Sequence, residues 1–264
     1  MECRICGGTH LSLYYTQGND GEFKYYRCTD CTNVNYDLSN GLDQEKYAAR
    51  YFDPEDESAR TNVGQTVSYN FIKKHVPLKG RFLDIGCGNG RILLLAKRDG
   101  FEAEGLELSE FYAEKLWKKA QIPVRVANFL ELEIPGEMRY DVITLRHVLE
   151  HLPNPRLAMS KINELLNPEG FAELEFPHIE GYGSKLKRFK EKTGLSKKKY
   201  PAGYKPGHCN EYTKKSFNML AEISGFEMIK WQTYSSSGAA SFFYKIFPVG
   251  SKVRVIIKKK NTNH

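Results

Sequence analysis

Four cysteines near the amino terminus are spaced as metal ligands. They form two Cys-x-x-Cys pairs, and the four residues are Cys3, Cys6, Cys28 and Cys31. Thiolates in two such pairs suit a closed tetrahedral zinc site, and four protein ligands leave no coordination position for a substrate. The segment between the pairs has the pattern of a hairpin with a turn at residues 18–21. The sequence therefore predicts a structural zinc ribbon over residues 1–38.

A glycine-rich turn is the second group of residues that could do chemistry. Asp84 lies in an apolar run, and Gly86, Gly88 and Gly90 follow on alternate residues before a helical pattern begins at Arg91. Glycine lets a ligand approach the backbone because it lacks a Cβ and tolerates positive φ. A helix start adds unpaired N–H groups. The dinucleotide fingerprint fails because its third small residue would be Arg91, and the Gly-Lys-Ser/Thr of nucleoside triphosphate loops is absent.

Two later strands end in residues that can bind or react. Glu107 ends a short strand about 20 residues past the first glycine, where doubly wound folds place the acid that accepts both ribose hydroxyls. Glu104 competes for this role, but its place before the strand end favours a solvated charge. A buried strand over residues 140–145 runs into Leu-Glu-His-Leu-Pro-Asn-Pro, which places Glu150 and His151 at its carboxyl end.

These motifs together resemble the class I S-adenosylmethionine-dependent methyltransferases with an N-terminal zinc-ribbon knuckle. The glycine turn is similar to motif I of that family, and the Leu-Glu-His segment resembles the branch of quinone, sugar and natural-product methyltransferases. The resemblance spans roughly residues 70 to 235. It implies a cofactor site formed by Asp84, Gly86, Cys87, Gly88, Gly90, Glu107, Leu108, Asn128, Phe129 and Arg146. Asn128 stands where the family often has Asp, and its carbonyl oxygen could accept from the adenine amino group.

The predicted fold is α/β. We expect a Rossmann-like seven-stranded methyltransferase sheet, mostly parallel, with an antiparallel C-terminal hairpin formed by residues 226–234 and 253–258. Three units are expected along the chain. They are the zinc-ribbon knuckle (1–38), a helical linker that covers the cofactor (39–79) and the methyltransferase domain (80–264) with its acceptor-side insertion (177–212). Two helical patterns in the linker, over residues 43–52 and 63–75, could turn Tyr47, Tyr51 and Arg60 either toward the cofactor or toward the surface.

Three histidines are candidates for a general base. The sulfonium of S-adenosylmethionine is already an activated methyl donor, so displacement needs mainly alignment. A neutral hydroxyl acceptor also needs a base, and histidine has a suitable pKa. The candidates are His151, His178 and His208, with Glu150 as a residue that could orient His151. Because the insertion leaves the carboxyl end of the fifth strand, we expect it to lie over the methyl group. The predicted acceptor pocket is lined by His151, His178, Tyr182, His208 and Tyr212.

Charge is uneven along the chain. Its 264 residues hold 39 Lys and Arg against 32 Asp and Glu, a formal net charge of +7. Much of the excess lies in residues 185–199 and 252–260. Such segments are compatible with a phosphorylated small molecule, a nucleic acid, an anionic membrane surface or a solvated face. We expect lysines and arginines of residues 185–199 at the mouth of the acceptor pocket.

The favoured acceptor is a small molecule such as a sugar nucleotide, a glycan unit or a secondary metabolite, methylated on oxygen. An RNA methyltransferase and a non-catalytic cofactor-binding module are the alternatives. The Leu-Glu-His motif and the lack of an Asn-Pro-Pro-Tyr-type motif argue against RNA, and the intact glycine turn with Glu107 argues against a non-catalytic module.

Cysteine usage favours a reducing compartment. No apolar run approaches the roughly 20 residues that span a bilayer, and no secretion-signal pattern opens the sequence. We therefore expect a cytoplasmic protein and zinc binding rather than disulfides. Cys87 and Cys209 are expected to be small buried residues. No pattern in the sequence indicates an oligomeric state.

Overall fold

A computed structural model gives the fold and describes residues 1–43, 53–77, 79–195, 198–234 and 250–260. The strands are β1 (Leu11–Gln17), β2 (Phe23–Cys28), β3 (Val34–Tyr36), β4 (Arg81–Ile85), β5 (Glu102–Glu107), β6 (Val124–Val126), β7 (Tyr140–Arg146), β8 (Leu166–Pro177), β9 (Asn210–Glu211), β10 (Phe226–Tyr234) and β11 (Lys252–Lys259). The helices are α1 (Arg60–His75), α2 (Arg91–Arg98), α3 (Glu110–Ala120), α4 (Pro155–Leu165), α5 (Tyr182–Lys192) and α6 (Lys214–Ile223). Short 3-10 turns lie at Leu38–Asn40 and Leu149–His151.

The larger sheet has seven strands in the order β10-β11-β8-β7-β4-β5-β6. The strands from β8 to β6 pair in parallel, whereas β11 is antiparallel to both β8 and β10. Helix α2 packs on one face of the sheet, and α4 and α6 pack on the other. Central strands covered on both faces read as nearly continuous apolar runs, which is why β4 and β7 are recognisable in the sequence. The predicted seven-stranded sheet with an antiparallel C-terminal hairpin is confirmed.

The smaller sheet combines three strands of the N-terminal ribbon with one strand of the insertion (177–212). Its order is β1-β2-β3-β9, and β9 comes from the insertion rather than from the N-terminal segment. Val34 is opposite Glu211 and Asn35 is opposite Asn210 in this antiparallel pairing. An apolar layer beneath the sheet combines ribbon and insertion side chains: Phe23, Tyr25, Val34, Tyr36, Ile179 and Cys209. The ribbon therefore packs directly on the insertion (177–212).

Local capping signals agree with the sequence in part. Thr213 caps α6, because its Oγ1 accepts from the Ser216 backbone N–H at 3.0 Å. Ser109 occupies the cap position of α3 but its side chain makes no capping hydrogen bond. Glu104 is not a solvated charge, since its carboxylate accepts from the Tyr140 hydroxyl at 2.8 Å and from the Arg81 guanidinium at 2.7 Å.

The predicted linker (39–79) is described at residues 39–43, 53–77 and 79. Its second predicted helix is present as α1 and begins at Arg60, an exposed residue in the first turn. The first predicted helix, with Tyr47 and Tyr51, lies outside the described residues. Among the helices in the described ranges, none has both the length and the apolar character needed to span a bilayer.

Candidate active site

The glycine turn connects β4 to α2 and is left-handed at all three glycines. The φ angles are 71° at Gly86, 52° at Gly88 and 74° at Gly90. A Cβ on Gly86 would lie 2.5 Å from Val148, and one on Gly90 would lie 2.4 Å from Leu116, whereas a Cβ on Gly88 would meet no atom within 4 Å. Packing thus explains two of the glycines. Gly88 faces open space, where a ligand can lie against the backbone.

Glu107 closes this turn from the neighbouring strand. Its Oε2 accepts from the Gly88 N–H at 2.9 Å, and its Oε1 accepts from the N–H groups of Leu108 at 2.9 Å and Ser109 at 3.2 Å. Glu107 is 9% exposed, whereas the adjacent Leu108 is 62% exposed. A carboxylate has lone pairs for further donors, and an uncovered apolar side chain beside it can pack on a flat ring.

Asp84 lies beneath the turn and is buried. Its Oδ1 accepts from the Thr144 hydroxyl at 2.7 Å. Burial raises the pKa of Asp84 to about 7, although the Thr144 hydrogen bond and the charge of Arg146 oppose that shift. The site therefore holds a carboxyl group that is poised to ionise when a cation approaches.

Three residues that anchor the turn were missed by the sequence analysis. Arg91 is buried and donates to the Pro54 carbonyl at 2.8 Å and to the Thr66 hydroxyl at 3.2 Å. Asn89 donates to the Asn62 side chain at 2.8 Å. These bonds tie α1 and the segment before it to the cofactor turn. The only signal in the sequence was an arginine directly after a glycine loop, and its partners could not be read from the chain.

The other predicted cofactor residues occupy varied surroundings. Cys87 is buried with its Sγ 2.8 Å from where a Cβ on Gly105 would lie, so it fills a tight place as expected. Asn128 is engaged in a local turn, where its Oδ1 accepts from the Leu130 N–H at 3.1 Å. Phe129 is 5% exposed and packs in the core.

Arg146 ends β7 and pairs with Glu175 on β8. Its Nε and Nη2 lie 3.1 Å from the two carboxylate oxygens, which is a bidentate arrangement. Glu175 also accepts from the Ser68 hydroxyl at 2.6 Å and from the Arg254 Nε at 3.3 Å. Burial would raise the pKa of Glu175, but the charges of Arg146 and Arg254 and the His147 ring hold it well below its usual range. This carboxylate fixes the carboxyl edge of the sheet.

His147 follows Arg146 and has an unusual backbone. Its φ is 55°, a left-handed value that costs energy for a non-glycine residue. The Nδ1 lies 3.2 Å from a Glu150 oxygen and the Nε2 lies 3.5 Å from a Glu175 oxygen. Burial disfavours the charged ring, but these two carboxylates outweigh it and raise the pKa of His147 to about 9. His147 is therefore an imidazolium at neutral pH, and the sequence analysis did not single it out.

His151 and His208 meet at the same edge. Their ring centroids are 4.7 Å apart at an interplanar angle of 80°. The His151 Nδ1 donates to the Gly207 carbonyl at 2.7 Å, which assigns the proton to that nitrogen. Burial lowers the pKa of His208 from its ordinary value of 6.5, so this ring is neutral at pH 7.

Glu150 lies behind the histidine pair and is 1% exposed. One oxygen is 3.9 Å from the His151 Nε2. Burial alone would raise the pKa of Glu150, but the hydrogen bond and charge of His147 lower it. A buried carboxylate next to His151 can stabilise a proton that arrives on the pair.

The remaining predicted acceptor residues have other surroundings. His178 is 5% exposed, its Nδ1 contacts the Gly250 carbonyl at 3.1 Å, and its ring packs edge-on against Trp231. Tyr212 is buried and donates to the Leu149 carbonyl at 3.1 Å, so it supports the turn that carries His151 from below. Tyr182 is 59% exposed at the start of α5.

The four N-terminal cysteines form one cluster. Their sulfurs all lie within 4.8 Å of one another, with 3.4 Å between Cys3 and Cys31 and 3.5 Å between Cys6 and Cys28. Zinc–sulfur bonds of about 2.3 Å in a tetrahedron place sulfurs roughly 3.8 Å apart. The Gly8 N–H points at the Cys6 sulfur at 3.4 Å, as a thiolate would favour. None of the six cysteines is in a disulfide bond. The donor set fits zinc.

Arg4 connects this cluster to the edge where His151 and His208 meet. It lies between the first two cysteines, and its guanidinium donates to the Cys209 carbonyl at 3.0 Å and to the Tyr36 carbonyl at 2.7 Å. The Cys209 N–H in turn donates to the Glu150 carbonyl at 2.9 Å. The backbone next to His208 is thus held between the ribbon and the turn that carries His151.

The profile of a methyltransferase domain family matches residues 56–230, which contain the glycine turn, Glu107 and the histidine pair. The chain belongs to the methyltransferase family. Solved structures share its fold: the PH0226 protein of Pyrococcus horikoshii covers 80% of this chain and 95% of its own at a TM-score of 0.59 and 17% identity. Magnesium protoporphyrin IX methyltransferase of Synechocystis, solved with bound S-adenosylhomocysteine, covers 76% of this chain and 83% of its own at a TM-score of 0.52 and 16% identity. The predicted resemblance to class I methyltransferases is confirmed.

Two curated relatives of this methyltransferase carry the same name. A ubiquinone biosynthesis O-methyltransferase of Methylococcus capsulatus is 31% identical over 132 residues, which are 47% of this chain and 55% of that protein. The enzyme of the same name from Alkalilimnicola ehrlichii is 27% identical over 149 residues, 54% of this chain and 60% of its own. The chain thus spans between half and two thirds of the length of these relatives.

Proposed function

We propose that this methyltransferase transfers the methyl group of S-adenosylmethionine to a hydroxyl of a small-molecule acceptor, with His208 or His151 as the general base. The observation that supports it most is the pairing of these two rings at the carboxyl edge of the sheet, beside the Glu150 carboxylate. The glycine turn and this edge lie on the same side of the sheet, because the glycine turn follows β4 and the turn that carries His151 follows the neighbouring parallel strand β7. Ligands of doubly wound sheets bind outside these carboxyl ends.

The residues of the cofactor end fit S-adenosylmethionine. The Glu107 carboxylate would accept from two ribose hydroxyls, and the exposed Leu108 would pack on adenine. The ionised Asp84 carboxylate would stabilise a cationic ligand. The bound cofactor supplies a methyl group on a sulfonium, which needs no further activation. Asn128, Phe129 and Arg146 remain proposed cofactor contacts, with Asn128 the weakest because its side chain serves a local turn.

The acceptor hydroxyl needs to lose one proton as the methyl group is transferred. His208 is a suitable base because burial keeps its ring neutral, so a lone pair is available at neutral pH. The Glu150 carboxylate and the neighbouring His151 ring would then share the positive charge. His147 is unsuited to this role because its ring already carries a proton. His178 was also a predicted base, and its contacts with Gly250 and Trp231 favour a packing role.

The relatives named for ubiquinone biosynthesis favour oxygen as the methylated atom. We propose a small hydroxylated acceptor and retain a phosphate group on it as compatible with the lysines of residues 185–199. Zinc in the four-cysteine cluster would fix the ribbon and, through Arg4, the segment that carries His208. A cytoplasmic location stays a prediction.

The test uses S-adenosylmethionine with a labelled methyl group. The protein is incubated with the small-molecule extract, and separately with the total RNA, of the cells that express it. We expect label in a small molecule. At least one of the variants His208→Asn and His151→Asn should transfer methyl groups about 10²- to 10⁴-fold more slowly than the wild type, because that is the usual contribution of a general base. His178→Asn is the matched control and should keep most of the rate. Cofactor affinity should be unchanged in all three variants.

Three outcomes would contradict the proposal. Label in RNA alone would favour the RNA methyltransferase, whose binding would fall steeply with salt. Cofactor binding without transfer to either fraction would favour a non-catalytic module. Wild-type rates in all three histidine variants would leave methyl transfer in place but remove the general base.

A further inference from the structure

Helix α5 is attached to the protein by one face. The Ser184 hydroxyl donates to the His178 carbonyl at 2.9 Å, and the Arg188 guanidinium donates to the Ile179 carbonyl. Arg188 also lies over the Tyr14 ring, with 5.4 Å between the guanidinium carbon and the ring centroid. Residues four apart share a helix face, so Ser184 and Arg188 define the side of α5 that packs on the ribbon and the end of β8.

The opposite face of α5 is an apolar stripe that points to solvent. Tyr182, Leu186 and Phe189 recur at helical spacing and are 59%, 38% and 58% exposed. Leu195, just past the helix, is 73% exposed. An amphipathic helix normally turns its apolar side to the core, and α5 does the reverse.

Lysines flank the stripe on both sides. At 3.6 residues per turn, Lys185 lies on one side of the stripe and Lys190 on the other, and both are exposed. Lys187 adds a third exposed cation to the same helix, and Lys198 and Lys199 follow in the chain, also exposed. The combination is an outward apolar strip with exposed lysines on both sides.

We infer that α5 is an interfacial helix that docks on an anionic lipid surface. Leucine and phenylalanine between lysines match the boundary between acyl chains and negatively charged headgroups. Docking of a protein on this face would not require lysines on both sides of the stripe. A nucleic acid would not favour the aliphatic Leu186 at its centre. Because α5 follows the carboxyl end of β8, docking brings the acceptor edge of the methyltransferase to the lipid. The inference is independent of the proposed acceptor.

The test is co-sedimentation with vesicles. The full chain is mixed with vesicles of phosphatidylcholine and phosphatidylglycerol, and with vesicles of phosphatidylcholine alone. We expect binding to the anionic vesicles, weakened about tenfold to a hundredfold in Leu186→Gln/Phe189→Gln, because two apolar side chains leave the lipid. Lys185→Gln/Lys190→Gln should weaken it about tenfold, in a salt-dependent way. The matched control is Leu157→Gln/Ile223→Gln, at helix positions that are 39% and 49% exposed on α4 and α6, and it should bind as the wild type does.

Thermal unfolding and cofactor affinity check that each variant is folded. The proposal is overturned when the folded wild type stays in the supernatant with anionic vesicles, or when Leu186→Gln/Phe189→Gln sediments as the wild type does. If the wild-type chain binds immobilised single-stranded RNA and does not bind vesicles, α5 is instead a nucleic-acid surface. A concentration-dependent dimer that the stripe variant abolishes, again without vesicle binding, would make it a contact between two copies.

Discussion

The cofactor end and the acceptor end of this methyltransferase are built in different ways. The cofactor end draws its main groups from neighbouring parallel strands, and it combines backbone N–H groups with the carboxyl groups of Glu107 and Asp84. The acceptor end is assembled from segments far apart in the chain. It combines the turn that carries His151, the insertion that carries His208 and the ribbon that carries Arg4.

This difference separates cofactor binding, which is general, from acceptor recognition, which is specific. A cofactor site made of local backbone geometry can be kept while the acceptor end is rebuilt by attaching other segments to the same edge. Here the attached segment is the ribbon, whose third strand pairs with β9 only two residues after His208. The comparison predicts that damage to the ribbon reaches the acceptor end and spares the cofactor end.

Removal of zinc should give the largest effect, and it should separate turnover from cofactor binding. Structural zinc contributes roughly 10–16 kcal/mol to the folding of small zinc domains, so chelation should unfold the ribbon. We expect one zinc ion per chain in metal analysis, and five newly reactive thiols after chelation. Cys87 stays buried in the core of the larger sheet, whereas Cys209 lies in the apolar layer that the ribbon covers. Turnover should be lost while cofactor affinity is kept. A chain with no zinc and six reactive thiols would refute the metal site.

Replacing Glu107 should damage only the cofactor end. Glu107→Ala removes the acceptor for two ribose hydroxyls, and each charge-assisted hydrogen bond contributes about 1.5–3 kcal/mol. Calorimetry should show S-adenosylmethionine binding weakened about a hundredfold or more. Glu104→Gln, three residues earlier on the same strand, is the control and should bind normally. Unchanged affinity in Glu107→Ala would remove this residue from the site.

The sequence predicted the cofactor end well because its signals are local. Residues 81–107 contain the strand with Asp84, the glycine turn and Glu107. The long apolar strands of the larger sheet are recognisable from hydropathy. Thr213 was recognisable as a helix cap for the same reason.

The acceptor end could be predicted only in its parts. His151 and His208 were both recognised, but their contact depends on a fold that brings residues more than fifty positions apart together. The role of His147 depends on Glu175 from the next strand, and β9 is too short for any pattern. The pairing of β9 with the ribbon is therefore invisible in the sequence, as are the partners of Arg91.

A smaller effect concerns pH at the cofactor end. Burial raises the pKa of Asp84 to about 7 in the cofactor-free protein. A cationic ligand favours the ionised carboxylate, so binding releases a proton wherever Asp84 is protonated. Affinity for S-adenosylmethionine should therefore be constant above pH 7 and fall below it, by at most about tenfold per pH unit. Calorimetry in buffers of different ionisation enthalpy measures the released proton. Asp84→Asn should abolish both the release and the slope, and a slope that survives in this variant would have another origin.

The most direct test of the central claim compares Arg4→Met with Lys24→Met by hydrogen–deuterium exchange. Arg4 links the ribbon to the Cys209 carbonyl, whereas Lys24 is an exposed cation on the same small sheet. The account predicts faster exchange at residues 207–213 and 149–152 in Arg4→Met alone. The glycine turn and Glu107 should keep wild-type exchange and wild-type cofactor affinity. Unchanged protection at residues 207–213 in Arg4→Met, or equal loss of protection at the glycine turn, would contradict the claim that the ribbon completes only the acceptor end.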